Sequence, residues 1–406
     1  MSGRRRLRNT KLGVLAVSVV LFAAGCAANA PQTTLEPKGQ QAKQIHHLFV
    51  PVMIIAGVVF VLVIGGAIFL VIKFRARGED DYNEFPEQTH GNFKLEIGWT
   101  ILPAVILAIV GVFTVVTIFD LAKKPGDDAV QVQIYGQQWW WEYRYDTNKD
   151  GVYDEIVTAN DLVVPAGKTI SLHIKSRDVI HSWWAPALNG KKDAVPGRTH
   201  PLTIKAPRPG EYIGQCTEFC GLSHAEMRIK VVALSQADFA AWEETQQKAF
   251  ENPRTKDAIA GWQAFAGQCT SCHRITGMTD PSEVTGPLDA VKATKEFQYP
   301  DVVNQVSGAA PNLTKFMSRS TFAGAKFNLR KDTKACNALG ENWAYDEKNL
   351  KKCLNRIDLE AWLRNAPAQK AMAPGATMST MSRGMPNFNL TEDQIDQLVA
   401  FLTTLK

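Results

Sequence analysis

The sequence predicts a multidomain chain: an N-terminal transmembrane α-helical hairpin, then a β-sandwich, then an all-α domain. Three observations carry this reading. Two uncharged apolar runs, 48–72 and 97–119, each exceed the roughly 20 residues a helix needs to cross a bilayer. From Val130 the pattern changes to short β-branched stretches punctuated by Gly, Pro and Asp, which reads as strands and turns. After Ser235 the composition turns to Ala, Gln and Glu, and the chain closes on an amphipathic helical pattern. At 406 residues it is too long for one ordinary core.

Residues 1–26 have the layout of an export signal. Arg4, Arg5, Arg6, Arg8 and Lys11 precede an apolar stretch, which ends at Gly25-Cys26 as in a lipoprotein precursor. Cys26 is therefore the expected lipidation site, with an uncleaved anchor or plain export of an unmodified Cys26 as the alternative. The hairpin is expected over 45–122. Lys73, Arg75 and Arg77 follow the first run directly, so the positive-inside rule places the connecting loop in the cytoplasm and everything after Phe119 outside.

The sandwich is expected over 128–235, with strands such as Val130-Gln-Val-Gln-Ile134 and Ile170-Ser-Leu-His-Ile174. Residues 236–258 read as a linker with helical character, most polar around 251–256, and 259–406 as the last domain. Thr391 and Gln394 are spaced for a capping box, ahead of Ile395, Leu398, Val399 and Leu402 at helical intervals. The net charge of +5 is small and its basic residues are dispersed, so nucleic acid is not an indicated partner.

The seven cysteines divide into Cys26 and three pairs. Cys216 and Cys220 lie in Cys216-Thr-Glu-Phe-Cys220-Gly-Leu-Ser-His224-Ala-Glu-Met227, where two thiols, an imidazole and a thioether share one loop. A bare Cys-x-x-x-Cys pair suits zinc or a disulfide, but this fuller donor set suits copper. A mononuclear blue site uses one cysteine, so two thiolates suggest bridges between two copper ions, each with a terminal histidine. His181, in Asp178-Val-Ile-His181-Ser-Trp-Trp, is the best second histidine, whereas His173 and His200 read as surface or structural residues. Cys269-Thr-Ser-Cys272-His273 is a haem c attachment sequence, with thiols for the vinyl groups and an imidazole for iron. If Cys26 is lipidated and these two pairs serve cofactors, Cys336 and Cys353 remain for a disulfide, which implies an oxidising compartment. A metal-binding pair is the alternative, but no histidine lies nearby.

The copper loop, preceded by Asp-Val-Ile-His181-Ser and Asp193-Ala-Val-Pro-Gly-Arg198, resembles the copper A domain of cytochrome c oxidase subunit II. The resemblance implies a cupredoxin-like sandwich with His181, Cys216, Cys220, His224, Met227 and the Glu218 carbonyl as ligands. It also implies a magnesium ion at the subunit interface touching the Glu218 side chain. Glu96, in Glu96-Ile-Gly-Trp-Thr-Ile-Leu-Pro103, matches the family's glutamate at the cytoplasmic mouth of a proton pathway; a solvated carboxylate favoured by the helix dipole is the plainer reading. Trp139, in Gly136-Gln-Gln-Trp139-Trp140-Trp141, matches the tryptophan that accepts electrons from cytochrome c, with Gln137 where the family commonly has histidine. Three adjacent tryptophans on a strand cannot all face one core, so at least one is expected exposed or at an interface.

The haem segment, with Ala310-Pro-Asn-Leu-Thr314 and the final helix, resembles a class I cytochrome c domain. Its sixth ligand is expected to be Met385, which precedes Pro386; Met378 is the runner-up, and Met372 and Met381 compete. Together these resemblances imply an electron-transfer subunit at the outer face of a bacterial membrane. Its partners would be oxidase subunits I and III, with cytochrome c or a cytochrome bc complex as donor. Neither apolar run contains a histidine, so subunit I would supply the oxygen-reducing site. Nitrous oxide reductase, a copper-containing nitric oxide reductase and a free-standing electron-transfer lipoprotein are the rival readings.

Overall fold

The computed structural model describes residues 30–75, 90–288, 290–299, 310–372 and 384–406. Cys26, Met378 and Met381 lie outside the described residues. Helix α1 spans Gln40–Lys73 and α2 spans Phe93–Leu121; both are long and apolar enough to cross a membrane. Their apolar side chains are exposed along most of their length, as suits surfaces that face lipid or another protein. The Asn92 side chain starts α2 by accepting from the N–H groups of Lys94 and Leu95.

The first helix begins five residues before the expected hairpin boundary at 45, and its start is held by the sandwich. The N–H groups of Lys38 and Gly39 donate to Ala187 O, and that of Ala42 to Leu188 O. A side chain at Gly39 would collide with the Leu188 backbone.

Ten strands build the sandwich: β1 Val130–Gln137, β2 Trp140–Asp146, β3 Ile156–Ala159, β4 Asp161–Pro165, β5 Ile170–Ser176, β6 His181–Trp184, β7 Lys192–Ala194, β8 His200–Ile204, β9 Gly210–Cys216 and β10 Arg228–Leu234. One sheet has the order β3-β2-β1-β5-β8 and the other β4-β10-β9-β6-β7. The β1–β5 and β4–β10 pairs are parallel, which requires crossovers between the sheets. Alternate residues of β1 turn inward, as period-two patterning demands. Trp141, Trp183, Tyr143 and Tyr145 fill the core, and the Tyr145 hydroxyl donates to Val163 O across it at 2.8 Å.

Residues 236–258 are only partly free linker. Helix α3, Gln236–Gln247, buries Phe239 and Trp242 in the sandwich core. The last domain then opens with α4, Lys256–Gln268. A two-stranded ribbon, β11 Thr321–Phe322 with β12 Phe327–Asn328, interrupts its helices. There follow α5 Lys334–Asn337, α6 Glu347–Cys353, α7 Arg356–Arg364, α8 Ala366–Gln369 and α9 Glu392–Leu402. The Thr391–Gln394 capping box is formed at the start of α9. That helix lies so close to α4 that a side chain at Gly261 would strike the Gln397 backbone. Cys336 and Cys353 are joined by a disulfide that ties α5 to α6.

Candidate functional site

Strand β6 places His181 at the end of the sandwich, and the loop from Cys216 to Met227 folds over it with a 3-10 turn at His224–Glu226. Cys216 and Cys220 are unbridged, with sulfurs 3.8 Å apart. His181 Nδ1 lies 3.9 Å from the Cys216 sulfur, and His224 Nδ1 lies 3.5 Å from that of Cys220. Met227 Sδ is 3.9 Å from the Cys220 sulfur, and Glu218 O is 3.3 Å from that of Cys216. The Glu218 side chain points out into the exposed rim. Thus all six expected copper donors converge on one place.

This donor set fits a dinuclear copper centre. Two thiolates can be shared between ions, one imidazole stands at each end, and the thioether and carbonyl complete the sides. His181 is fully buried, and its Nε2 meets Asp178 Oδ1 at 2.8 Å, which leaves Nδ1 facing the sulfurs. The imidazole needs Gly136 beneath it, because a Cβ there would sit 2.8 Å from His181 Cδ2. Hydrogen bonding with Cys220 holds the Cys216 thiol down to about 4 and pushes the Cys220 thiol up, so one proton is retained by the metal-free pair. Metal binding must release it.

Trp139, Trp140 and Trp141 are all buried, at 5%, 6% and 0% exposure. Trp141 belongs to the sandwich core and meets His181 edge-on, with ring centroids 5.8 Å apart. Trp139 lies against the copper loop, donating its indole N–H to Cys220 O at 3.0 Å; Gln138 Nε2 donates to the same carbonyl at 2.6 Å. Trp139 and Trp140 also line a cavity that belongs mostly to the C-terminal domain. The interface expected for this aromatic run is therefore with the chain's own last domain.

That cavity measures about 510 Å³ and is walled by Cys269, Cys272, His273, Arg319 and Met385. The turn after α4 brings both thiols and the imidazole together, with the His273 N–H donating to Cys269 O at 2.8 Å. His273 Nδ1 meets Pro311 O at 2.8 Å, so Nδ1 carries the proton and Nε2 is the nitrogen with a free lone pair. Burial lowers the His273 pKa and lifts the Cys269 thiol to about 12. These features fit haem c. Arg319, also in the wall, is buried and its guanidinium donates to Asn312 O. Met385 lies in the wall as expected, but so does Met372, whose Sδ accepts the Met385 N–H at 3.1 Å.

The cavity and the copper loop share a built interface, which the sequence did not disclose. Asp161 is buried and accepts from Ser320 N at 2.6 Å, Ser320 Oγ at 2.7 Å and the Thr321 hydroxyl. Lys370 is buried and donates to Trp139 O, Glu226 O and Ala323 O. The Arg228 N–H donates to Gly324 O at 2.9 Å, and the Ser223 hydroxyl to Ala371 O. No local pattern marks these residues.

Other expectations stand apart from the two centres. Glu96 is exposed in the first turn of α2. His173 bonds Gln131 and Ser171, and His200 bonds Asp193 O, both within the sandwich. Asp146, Asp150 and Glu155 gather in the β2–β3 loop, where Asp146 accepts from the N–H groups of Asp150 and Gly151 and so closes the turn.

Comparison with known proteins matches each part separately. Residues 32–116 match the family model "Cytochrome C oxidase subunit II, transmembrane domain", 148–234 match "Cytochrome C oxidase subunit II, periplasmic domain", and 258–406 match "Cytochrome c". A cytochrome c oxidase subunit 2 of Alkalihalophilus pseudofirmus is 30% identical, over 96% of this chain and 95% of its own length. That of Bacillus sp. strain PS3 is 31% identical, over 98% of each. That of Cereibacter sphaeroides is 34% identical, over 58% of this chain and 91% of its own length.

Proposed function

Because this chain belongs to the cytochrome c oxidase subunit II family, with a cytochrome c domain at its C-terminus, we propose that it conducts electrons from a bound haem c, past Trp139, to dinuclear copper. From there they pass to the haem–copper centre of subunit I, where dioxygen is reduced to water and protons are pumped. The observation that carries this reading is that Trp139 lines the haem cavity while its indole N–H holds the carbonyl of Cys220. One short stretch of β-sandwich thus touches both centres.

Both metals, when bound, supply one-electron redox chemistry, and the protein's part is to keep their surroundings from rearranging. His181 is locked by Asp178 and packed on Gly136, and Cys220 is fixed through its carbonyl by Trp139 and Gln138. His273 is oriented by Pro311 O. Cys269 and Cys272 would carry the haem, with Met385 as the sixth ligand. His181, Cys216, Glu218, Cys220, His224 and Met227 would hold the copper pair.

Around the copper loop, Phe219 and Leu222 are exposed at 77% and 65%, an apolar rim suited to the subunit I contact. A magnesium ion touching Glu218 would belong to that contact. The copper and haem domains lie on the outer face, anchored by α1, α2 and lipid on Cys26, and Glu96 admits protons from the cytoplasm. A small cytochrome c or a cytochrome bc complex delivers electrons to the haem.

Electron paramagnetic resonance and optical spectra of the purified chain test the reading. They should give a mixed-valence copper pair and a low-spin haem c; a blue single-copper spectrum refutes it. Trp139→Leu should slow copper reduction by the haem while leaving both spectra in place. Co-purification with a large haem-bearing subunit distinguishes an oxidase from a free-standing carrier.

A further inference from the structure

The contact between the haem cavity and the copper loop is built around one buried lysine. Lys370 Nζ lies 2.7 Å from Trp139 O, 3.2 Å from Glu226 O and 2.8 Å from Ala323 O. Each acceptor has a separate meaning. Trp139 lines the haem cavity and holds the copper loop, Glu226 immediately precedes the expected copper donor Met227, and Ala323 lies in the turn of the C-terminal domain's ribbon. Burial lowers the Lys370 pKa to about 7; in its protonated form the nitrogen has three donors, and it meets three backbone carbonyls divided between two domains. Burying such a group costs solvation, so a sequence that only needed a filled gap would place an apolar residue here.

The backbone around Lys370 is shaped to admit it. Gly324 has a φ of +76°, and a Cβ there would collide with Trp139 O and lie 2.5 Å from Lys370 Nζ. Lys326 flanks the contact, reaching Gln369 O at 2.8 Å and the Glu226 carboxylate at 3.4 Å. Lys370 itself lines the haem cavity.

We propose that Lys370 is the positioning residue of the haem-to-copper step: by donating to Trp139 O, Glu226 O and Ala323 O it fixes the haem cavity against the tryptophan and the copper loop. This rests on the electron path proposed above and adds to it the device that holds the path at one length. Electron transfer between fixed sites depends steeply on their separation, so a loosened contact should slow the step without altering either metal's ligands. The change Lys370→Met keeps the bulk and leaves three buried carbonyls without this donor, whereas Lys370→Arg keeps the charge and the donors.

Two measurements on the full chain in detergent test the assignment. In the metal-loaded chain, hydrogen exchange of the Arg228 N–H, which donates to Gly324 O across the contact, reads docking directly. Lys370→Met, which removes the donor to all three carbonyls, should raise that exchange roughly tenfold or more, and Lys370→Arg should restore part of the protection. In the assembled oxidase, flash reduction of the haem should be followed by copper reduction at a rate about tenfold lower in Lys370→Met, with both metal spectra intact.

If Lys370→Met fails to load its metals, Gly324→Ala wedges the same contact from the other side and should slow the step likewise. Wild-type transfer rates in whichever variant loads both metals overturn the assignment, as does faster Arg228 exchange with no change in transfer. A wild-type chain lacking either metal's spectrum would defeat the electron path itself, and exchange measured on that chain would still report whether Lys370 holds the two domains together.

Discussion

The support beneath His181 gives the sharpest quantitative test of the copper site. Asp178 Oδ1 meets His181 Nε2 at 2.8 Å and also accepts the Val179 N–H at 2.8 Å, while Oδ2 accepts the Gln138 N–H at 2.8 Å. One carboxylate therefore orients the imidazole and anchors the residue beside Trp139. Asp178→Ala frees the His181 ring and leaves Gln138 N–H without this acceptor. Loss of a carboxylate behind a metal-bound histidine commonly costs about 10–100-fold in metal affinity, or about 1.4–2.8 kcal/mol.

Copper affinity of the full chain in detergent, measured against a competing chelator, should fall by that factor. Asp178→Asn should lie between the two, because its amide can still accept from His181. Burial works against charge on Asp178, but bonds from His181 and the Gln138 N–H hold its pKa below the ordinary carboxylate value. With the folded pKa below the unfolded one, the carboxylate's stabilisation of the metal-free fold is present above the unfolded value. It is lost as pH falls through the folded one, so the stability gap between wild type and Asp178→Ala should close in acid. Unchanged copper affinity in Asp178→Ala would refute the reasoning, since His181 would then be oriented without it.

Three further outcomes are expected. The Cys336–Cys353 bridge spans a sequence separation of 17, so replacing both cysteines by serine should cost about 3 kcal/mol. Calorimetry should show the haem domain's transition falling by about 6–12 °C, with the copper domain's transition unmoved. Met385→Ala should convert the haem from low to high spin in optical spectra, whereas Met372→Ala should leave the spin state alone; the reverse result would exchange their roles. Glu96→Gln should slow turnover and proton uptake in reconstituted vesicles while the haem-to-copper rate stays at its wild-type value.

That the expected donors of each centre would come together was legible because their pattern is written locally. Cys216, Cys220, His224 and Met227 fall within one loop, and Cys269, Cys272 and His273 within five residues, so spacing alone brings them together. His181 came from a separate strand and was found through the unusual Asp-Val-Ile-His-Ser-Trp-Trp stretch around it. The interface was not legible, because Asp161 with Ser320 and Lys370 with Trp139 are contacts across 159 and 231 residues of chain, with no periodicity to announce them. Nor did the run of tryptophans say which partner would cover it. The helix hidden in 236–258 was visible in composition, but the burial of Phe239 and Trp242 against the sandwich depends on tertiary packing that a short apolar pair cannot reveal.

That helix changes what kind of device the fused domain is. With α3 moored to the sandwich, and with Phe250 and Asn252 already packed and bonded on the last domain, almost no free peptide remains between the domains. On the electron path proposed above, a carrier on so short a leash would not shuttle between a distant donor and its acceptor; it would stay parked, and an external donor would travel to it. Lengthening this leash with flexible residues should therefore leave the resting complex almost unchanged, because the carboxylate and ammonium contacts, and not the peptide, set where the haem pocket sits. Added soluble cytochrome c should then compete only for the outer surface of the haem domain and never for the tryptophan beneath it.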